Sequence, residues 1–195
     1  MSEIKLERVP NEQAIVDIKG LTPLIVHNWS QKAREMLPGG KNHKKGRRKE
    51  AHATPDEEYM ASRYLLPDGS DGFPARAFKS AMVDSYFLFD SLKKVQLRRL
   101  VFVHGEGPEQ LVRIDGEPTH REDVVRIGMG TANLRHRAMY EDWGAQLAIT
   151  FNPVMLSRDS IVALLEAAGQ GGVGEWRPTA PKAIGDFGRF QVVAE

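Results

Sequence analysis

The chain has 195 residues, no cysteine, and 27 Lys/Arg against 26 Asp/Glu for a net charge of +1. That length suits one domain with a real core, the missing cysteines exclude disulfides and thiolate metal sites and fit a reducing compartment, and the near-neutral balance leaves polyanion affinity to local clusters of charge. No apolar run reaches the roughly 18 residues of a membrane span and Met1–Lys5 lacks the apolar centre of a signal peptide, so a cytoplasmic protein with no membrane partner is expected.

Gln13–Lys19 is short and rich in Ile and Val between Pro10 and Gly20, which predicts a first strand. Leu21–Val26 should stay extended, because Pro23 biases Thr22 away from helix and removes a donor, as suits a strand edge or a kink. After His27-Asn28-Trp29, Ser30 reads as the N-cap of a short helix over 31–37 that Pro38-Gly39-Gly40 stops.

Residues 41–49 carry six Lys/Arg (Lys41, Lys44, Lys45, Arg47, Arg48 and Lys49) and no apolar side chain. Such a stretch cannot join a core, and self-repulsion predicts a mobile basic loop over 38–55. It reads as a solvated loop, a nuclear-type targeting signal or a phosphate-gripping loop that releases counterions on binding, the last being preferred.

Asp56–Arg63 predicts a short helix, and Tyr64–Leu66 a strand ending in the turn Pro67–Gly72. Apolar residues at 78, 81, 82, 86 and 89 then have helical spacing after Pro74, predicting the major helix of the first half over 74–89. Its N-terminal N–H groups together with Arg76 and Lys79 form an anion-site candidate, unless those cations only solvate the outer face.

Leu100–His104 and Gln110–Ile114 flank Gly105–Pro108 and predict a hairpin, and Val124–Gly128 predicts another strand. Leu134–Tyr140 and Ala145–Phe151 predict a second hairpin turning at Glu141–Gly144. Arg135 and Arg137 alternate onto one face, as a basic strip or as ordinary solvent-face residues. Ser157 caps a helix over 157–168 that Gly169 ends.

Residues 169–188 hold six glycines interleaved with Trp176, Arg177 and Phe187, ahead of Arg189 and the terminal strand Phe190–Val193. Gly172 and Gly174 lie in this segment. It fits neither a dinucleotide fingerprint, where a strand precedes and a helix follows, nor a Walker loop. Positive φ and close backbone approach suit an extended polyanion, and a flexible hairpin is the alternative. Trp176 either covers helix 157–168 or offers a stacking face.

The resulting order predicts an α+β fold: a ferredoxin-like (RRM-like) βαββαβ core, with residues 20–72 inserted after the first strand and extra β-hairpins in the middle, all within one domain over 1–195. Three stretches then resemble the RAMP superfamily, the RNA-binding subunits of class 1 CRISPR effectors and their repeat-processing endoribonucleases. These are Leu21–His27, Gly72–Lys79 opening a helix, and Gly172-Val173-Gly174 through Gly185–Arg189. The helix motif departs from the family at Ala75 and Ala77, where small or hydroxylated residues are usual, and at Ser80, where glycine is frequent. The chain also resembles proteins encoded in bacteriophage genomes.

The resemblance implies single-stranded RNA against the helix start and the glycine segment, with self-association or other RAMP-type subunits as partners. Relatives that cut RNA carry an aspartate after the first strand; residues 20–37 offer only Glu35, so metal-dependent cleavage is not expected, nor is a cofactor or a metal. Repeat-processing relatives use a histidine base, and His27 stands at the comparable place. The other histidines show neither i, i+4 spacing nor acidic partners. A non-catalytic binder is therefore expected, against a metal-independent endoribonuclease using His27 or a phage module acting on a CRISPR complex.

Overall fold

A computed structural model describes residues 8–28, 54–90, 92–127, 131–182 and 185–193. The expected helix 31–37 and the basic stretch 41–49 lie outside the described residues. β1 (Glu12–Gly20) alternates strictly, with Ala14, Val16 and Ile18 buried and their neighbours exposed. β9 (Gly144–Phe151) buries Ala145, Leu147, Ile149 and Phe151 in the same rhythm. The two pair antiparallel, Val16 opposite Leu147 and Ile18 opposite Ala145, so their apolar residues share one face.

β10 (Phe190–Val192) and β5 (Val101–His104) flank this pair in a four-stranded antiparallel sheet of order β10-β1-β9-β5. Phe78 and Met82 of α2 (Ala75–Asp84), with Ile161, Leu164, Leu165 and Ala168 of α4 (Arg158–Gly171), belong to the same buried cluster as the inward residues of the sheet. Two three-stranded antiparallel sheets complete the mixed α/β fold. One orders β2 (Leu24–Val26), β8 (Thr131–Tyr140) and β7 (Pro118–Ile127); the other orders β3 (Tyr64–Leu65), β4 (Asp71–Pro74) and β6 (Leu111–Arg113). α1 (Pro55–Ser62) and α3 (Lys94–Leu100) are the shorter helices.

Both expected middle hairpins are corrected. The turn after β5 closes locally, Glu106 and Leu111 exchanging backbone hydrogen bonds of 2.7 and 2.9 Å. The strands on either side then diverge: β5 pairs with β9, and β6 with β4, which buries Leu111 and Val112. Turn chemistry is local, whereas strand partners follow from which faces must be buried. β8 pairs with β2 and, along its whole length, with β7; it does not pair with β9. Trp143 forces the change of sheet, being buried with its indole N–H donating to Thr22 O at 2.9 Å.

Helix ends also move. α2 stops at Asp84 and a 3₁₀ turn covers Ser85–Leu88, Ser85 Oγ donating back to Ala81 O at 2.9 Å. α3 was not expected, since within it only Leu97 is fully buried and the apolar period is too sparse to read. Ser157 caps α4 as expected, accepting from Ser160 N at 3.1 Å. The helix runs past Gly169, where a Cβ would collide with Phe190 O, and ends before Gly172.

Asp71 joins the sheets through their polar groups. Its carboxylate accepts Arg63 Nε and Nη2 at 2.8 and 2.7 Å and Tyr140 Oη at 2.7 Å. Burial and the bond to Asp71 hold the Tyr140 phenol well above its ordinary range, and the Asp71 bond raises the Arg63 guanidinium. Asp71→Ala strands a partly buried cation, so denaturant unfolding should show a loss of about 3 to 5 kcal/mol; a loss under 1 kcal/mol would rule the network out as a structural tie.

Candidate functional site

A cleft of about 270 Å³ opens where three distant segments meet: the end of β2 at His27, the start of α2 at Arg76, Ala77 and Ser80, and the loop after α4 at Gly174 and Arg177. Pro74 gives α2 no side-chain cap. Its first N–H donates to Gln110 O at 2.9 Å, and the next two residues, Arg76 and Ala77, line the cleft.

The glycine segment is laid along Pro23–Ile25. Gly188 N donates to Pro23 O at 2.8 Å, Glu175 N to Ile25 O at 2.9 Å, and Val173 N to Gly188 O at 2.9 Å. Gly174 has φ +82° and a Cβ there would lie 2.6 Å from Ile25 O, while at Gly188, φ +68°, it would strike Val173 O. The close approach expected toward a ligand is thus made first toward the protein's own backbone, and Gly172–Glu175 with Arg177 is left as one wall of the cleft, Trp176 not being among its lining residues.

Beside this wall the Arg121 guanidinium stacks over Trp176 and Phe187 at 5.2 and 5.0 Å, and that of Arg137 over Trp176 at 5.5 Å. Asp123, buried, takes Arg121 Nε at 2.8 Å and Arg137 Nη1 at 3.5 Å, so one carboxylate serves two cations. Trp176 is half-buried at φ +53°. Its ring contacts are these arginines and Phe187, 6.1 Å away.

Arg137 Nε also donates to His27 Nδ1 at 3.1 Å. A guanidinium has only donors, so this nitrogen of His27 must be the acceptor and the neutral ring carries its proton on Nε2. Burial, then the positive charge of Arg137, lowers the His27 pKa below its ordinary value.

The expected residues separate into groups. Arg76 is exposed and lines the cleft with Arg177, whose Nη1 donates to Gly174 O at 2.8 Å. Lys79 is not among the lining residues; its ammonium lies 4.1 Å over the Phe102 ring, and desolvation lowers its pKa. Arg137 is 7% exposed, which corrects its reading as a solvent-face residue, whereas Arg135, two residues along the same face of β8, is half-exposed. Arg189 is held by its backbone, N donating to Thr22 Oγ1 at 3.0 Å.

The sequence reading missed Arg121, which the β7–β8 register sets opposite Arg137, as well as the lining residues Ser80 and Thr179. It also missed that His120 and His136 have acidic neighbours, Asp56 and Glu122, at 4.0 and 3.9 Å. Among the described residues no group of three or more His, Asp or Glu side chains could hold a metal ion.

Many solved structures resemble the chain, among them the two that follow. One is a chain of the type III-B Cmr-β complex bound to cognate target RNA, solved by cryo-electron microscopy, with 9% identity and a TM-score of 0.47. The alignment covers 94% of this protein and 59% of that chain, so this protein spans less than two thirds of its length. The other is the crystal structure of Cmr6 from Pyrococcus furiosus, with 11% identity, a TM-score of 0.45, and 94% and 98% of the two chains covered. No protein-family model and no curated protein matches the sequence.

Because the folded protein disfavours the His27 cation, the stability that comes from keeping the ring neutral is complete above its ordinary pKa of 6.5 and is lost as the pH falls from there toward the lowered value. Protonation of Nδ1 also removes the acceptor for Arg137. Thermal unfolding from pH 8 to pH 5 should show a smaller acid-induced fall in Tm for His27→Asn than for the parent; equal slopes would exclude the effect.

Proposed function

We propose that the protein is a non-catalytic, single-strand nucleic-acid binder of RAMP type, with RNA the expected ligand and self-association or RAMP-type subunits as partners in the cytoplasm. The carrying observation is the meeting in one cleft of the three segments that bear the sequence resemblance, at His27, Arg76 and Gly172–Gly174. In this reading the core is ferredoxin-like: the connectivity strand, helices, strand, strand, helix, strand, with sheet order β10-β1-β9-β5, supports it. Phosphates are gripped by Arg76 and Arg177 and by the expected basic loop 38–55, and Trp176 offers the stacking face.

Cleavage by His27 is disfavoured on chemical grounds. Nδ1 accepts from Arg137, and a general base needs a lone pair facing the 2′-hydroxyl it would deprotonate. The His27→Ala variant should leave labelled RNA as intact as the parent does; metal-independent cleavage by the parent that this substitution abolishes would establish the endoribonuclease instead.

Binding of fluorescent single-stranded RNA should weaken steeply with salt. Arg76→Ala with Arg177→Ala should make the log–log salt slope shallower by about 1 to 1.5, and neutralising the six cations of 41–49 by up to about 4. Trp176→Ala should cost about 1 to 3 kcal/mol of affinity with little change in Tm. Slopes unchanged in both charge variants would remove the cleft and the loop from the binding surface.

A further inference from the structure

A cleft that grips phosphates is an unfavourable place for a carboxylate, yet Asp84 and Glu175 both line it. Asp84 is neutralised by Lys94 at 2.6 Å. Glu175 is not: it is half-buried, and among the described residues its side chain makes no ion pair and no hydrogen bond. Arg177, two residues on, donates Nη1 to Gly174 O at 2.8 Å instead. After burial and Arg137, the charge of Glu175 is the next influence on the His27 ring, so its carboxylate stands within electrostatic reach of the histidine in the same cleft.

The backbone fixes the position of this residue. Glu175 N donates to Ile25 O at 2.9 Å, and both its neighbours are left-handed, Gly174 at φ +82° and Trp176 at φ +53°. A bulky side chain takes that conformation only where its surroundings impose it, and such strain collects at ligand sites. Here the Arg121 and Arg137 guanidinium groups over the Trp176 ring hold the strained turn that presents Glu175.

We infer that Glu175 reads a guanine base held in the cleft, its carboxylate accepting from guanine N1–H and N2–H. The inference rests on the single-strand RNA reading and adds a base preference to it. A carboxylate only accepts, and its two oxygens suit a pair of parallel donors. Guanine alone among the four RNA bases sets two donors side by side on its Watson–Crick edge, the edge that single-stranded RNA leaves open to a protein. Adenine and cytosine place one amino donor beside a ring-nitrogen acceptor, and uracil places one N–H between two carbonyls, so each turns a repelled acceptor toward the second oxygen. The cleft, about 270 Å³, also offers apolar surface at Phe73, Ala77 and Val173 for the faces of a base, with Arg76 and Arg177 for the phosphate attached to it. A bare polyanion would bind better without Glu175, whereas a base with two donors binds better with it.

The test is fluorescence anisotropy of the full-length protein with short labelled uridine-rich RNAs that differ at one central base: guanine, inosine, adenine, cytosine or uracil. The guanine strand should bind about 5- to 150-fold more tightly than the adenine, cytosine and uracil strands, the range of one bidentate base contact. Inosine, which lacks the N2 amine, should fall between them. Glu175→Gln should bring the guanine strand down to the level of the others, and the inosine comparison, made on the parent, decides even where that variant does not fold. Equal binding of all the strands, or a guanine preference that Glu175→Gln keeps, overturns the role of Glu175 and leaves the binder reading in place. So does a variant that loses only its preference for the ribose over the deoxyribose form of the guanine strand, because the carboxylate then serves the 2′-hydroxyl. If no strand binds, the binder reading fails and the base preference fails with it.

Discussion

The seam between residues 172–189 and residues 21–25 is the constraint on which the arrangement rests. Leu21 N donates to Arg189 O, Gly188 N to Pro23 O and Glu175 N to Ile25 O, each within 2.9 Å. The glycine segment and the chain entering β2, from opposite ends of the sequence, thereby satisfy each other's backbone groups where a Cβ at Gly174 or Gly188 would collide. β10 follows directly and extends the sheet beside β1, and Trp143, bonded to Thr22 O, packs its ring near that of Phe190. Loosening the seam would expose polar backbone, uncouple β10 and remove one wall of the cleft together.

The cleft sets Arg76 and Arg177 against Asp84 and Glu175, and the protein as a whole is nearly neutral. Asp123 is shared between Arg121 and Arg137, leaving positive charge against the faces of Trp176 and Phe187. Asp84, which lines the same cleft, is taken up by Lys94 at 2.6 Å. Asp68, which is not among the lining residues, accepts from Ser70 and then Arg113, which hold its carboxyl down at about 2.

α3 and the C-terminal ends of α2 and α4 were not legible in the sequence, but several features that depend on a residue's neighbours along the chain were. The alternation of β1, the cap of α4 at Ser157 and the apolar spacing of α2 are of this kind. The glycine segment was also legible as a unit, but its contact with Pro23–Ile25 was not, because glycine reports that something comes close without reporting what. Strand partners were the main loss. Gly128 reads as a strand end, and the long β7–β8 pairing stays hidden behind it. Arg121 and Arg137 look like any exposed cations until the register sets them against Trp176, and His120 and His136 are 16 residues apart in sequence.

The central pairing has a consequence for how the protein is made. Asp17 and Gln146 face each other across β1 and β9 although 129 residues separate them. At synthesis rates of about 5 to 20 residues per second, β1 waits roughly 6 to 26 s for this partner. During that time its row of Ala14, Val16 and Ile18 has no sheet to join, and closing so long a loop makes the pairing intrinsically slow. Asp17 alone interrupts the apolar run Ala14–Ile18, and Gln13 and Lys19 bound it; these three shorten the waiting apolar stretch on the ribosome and face water in the finished sheet.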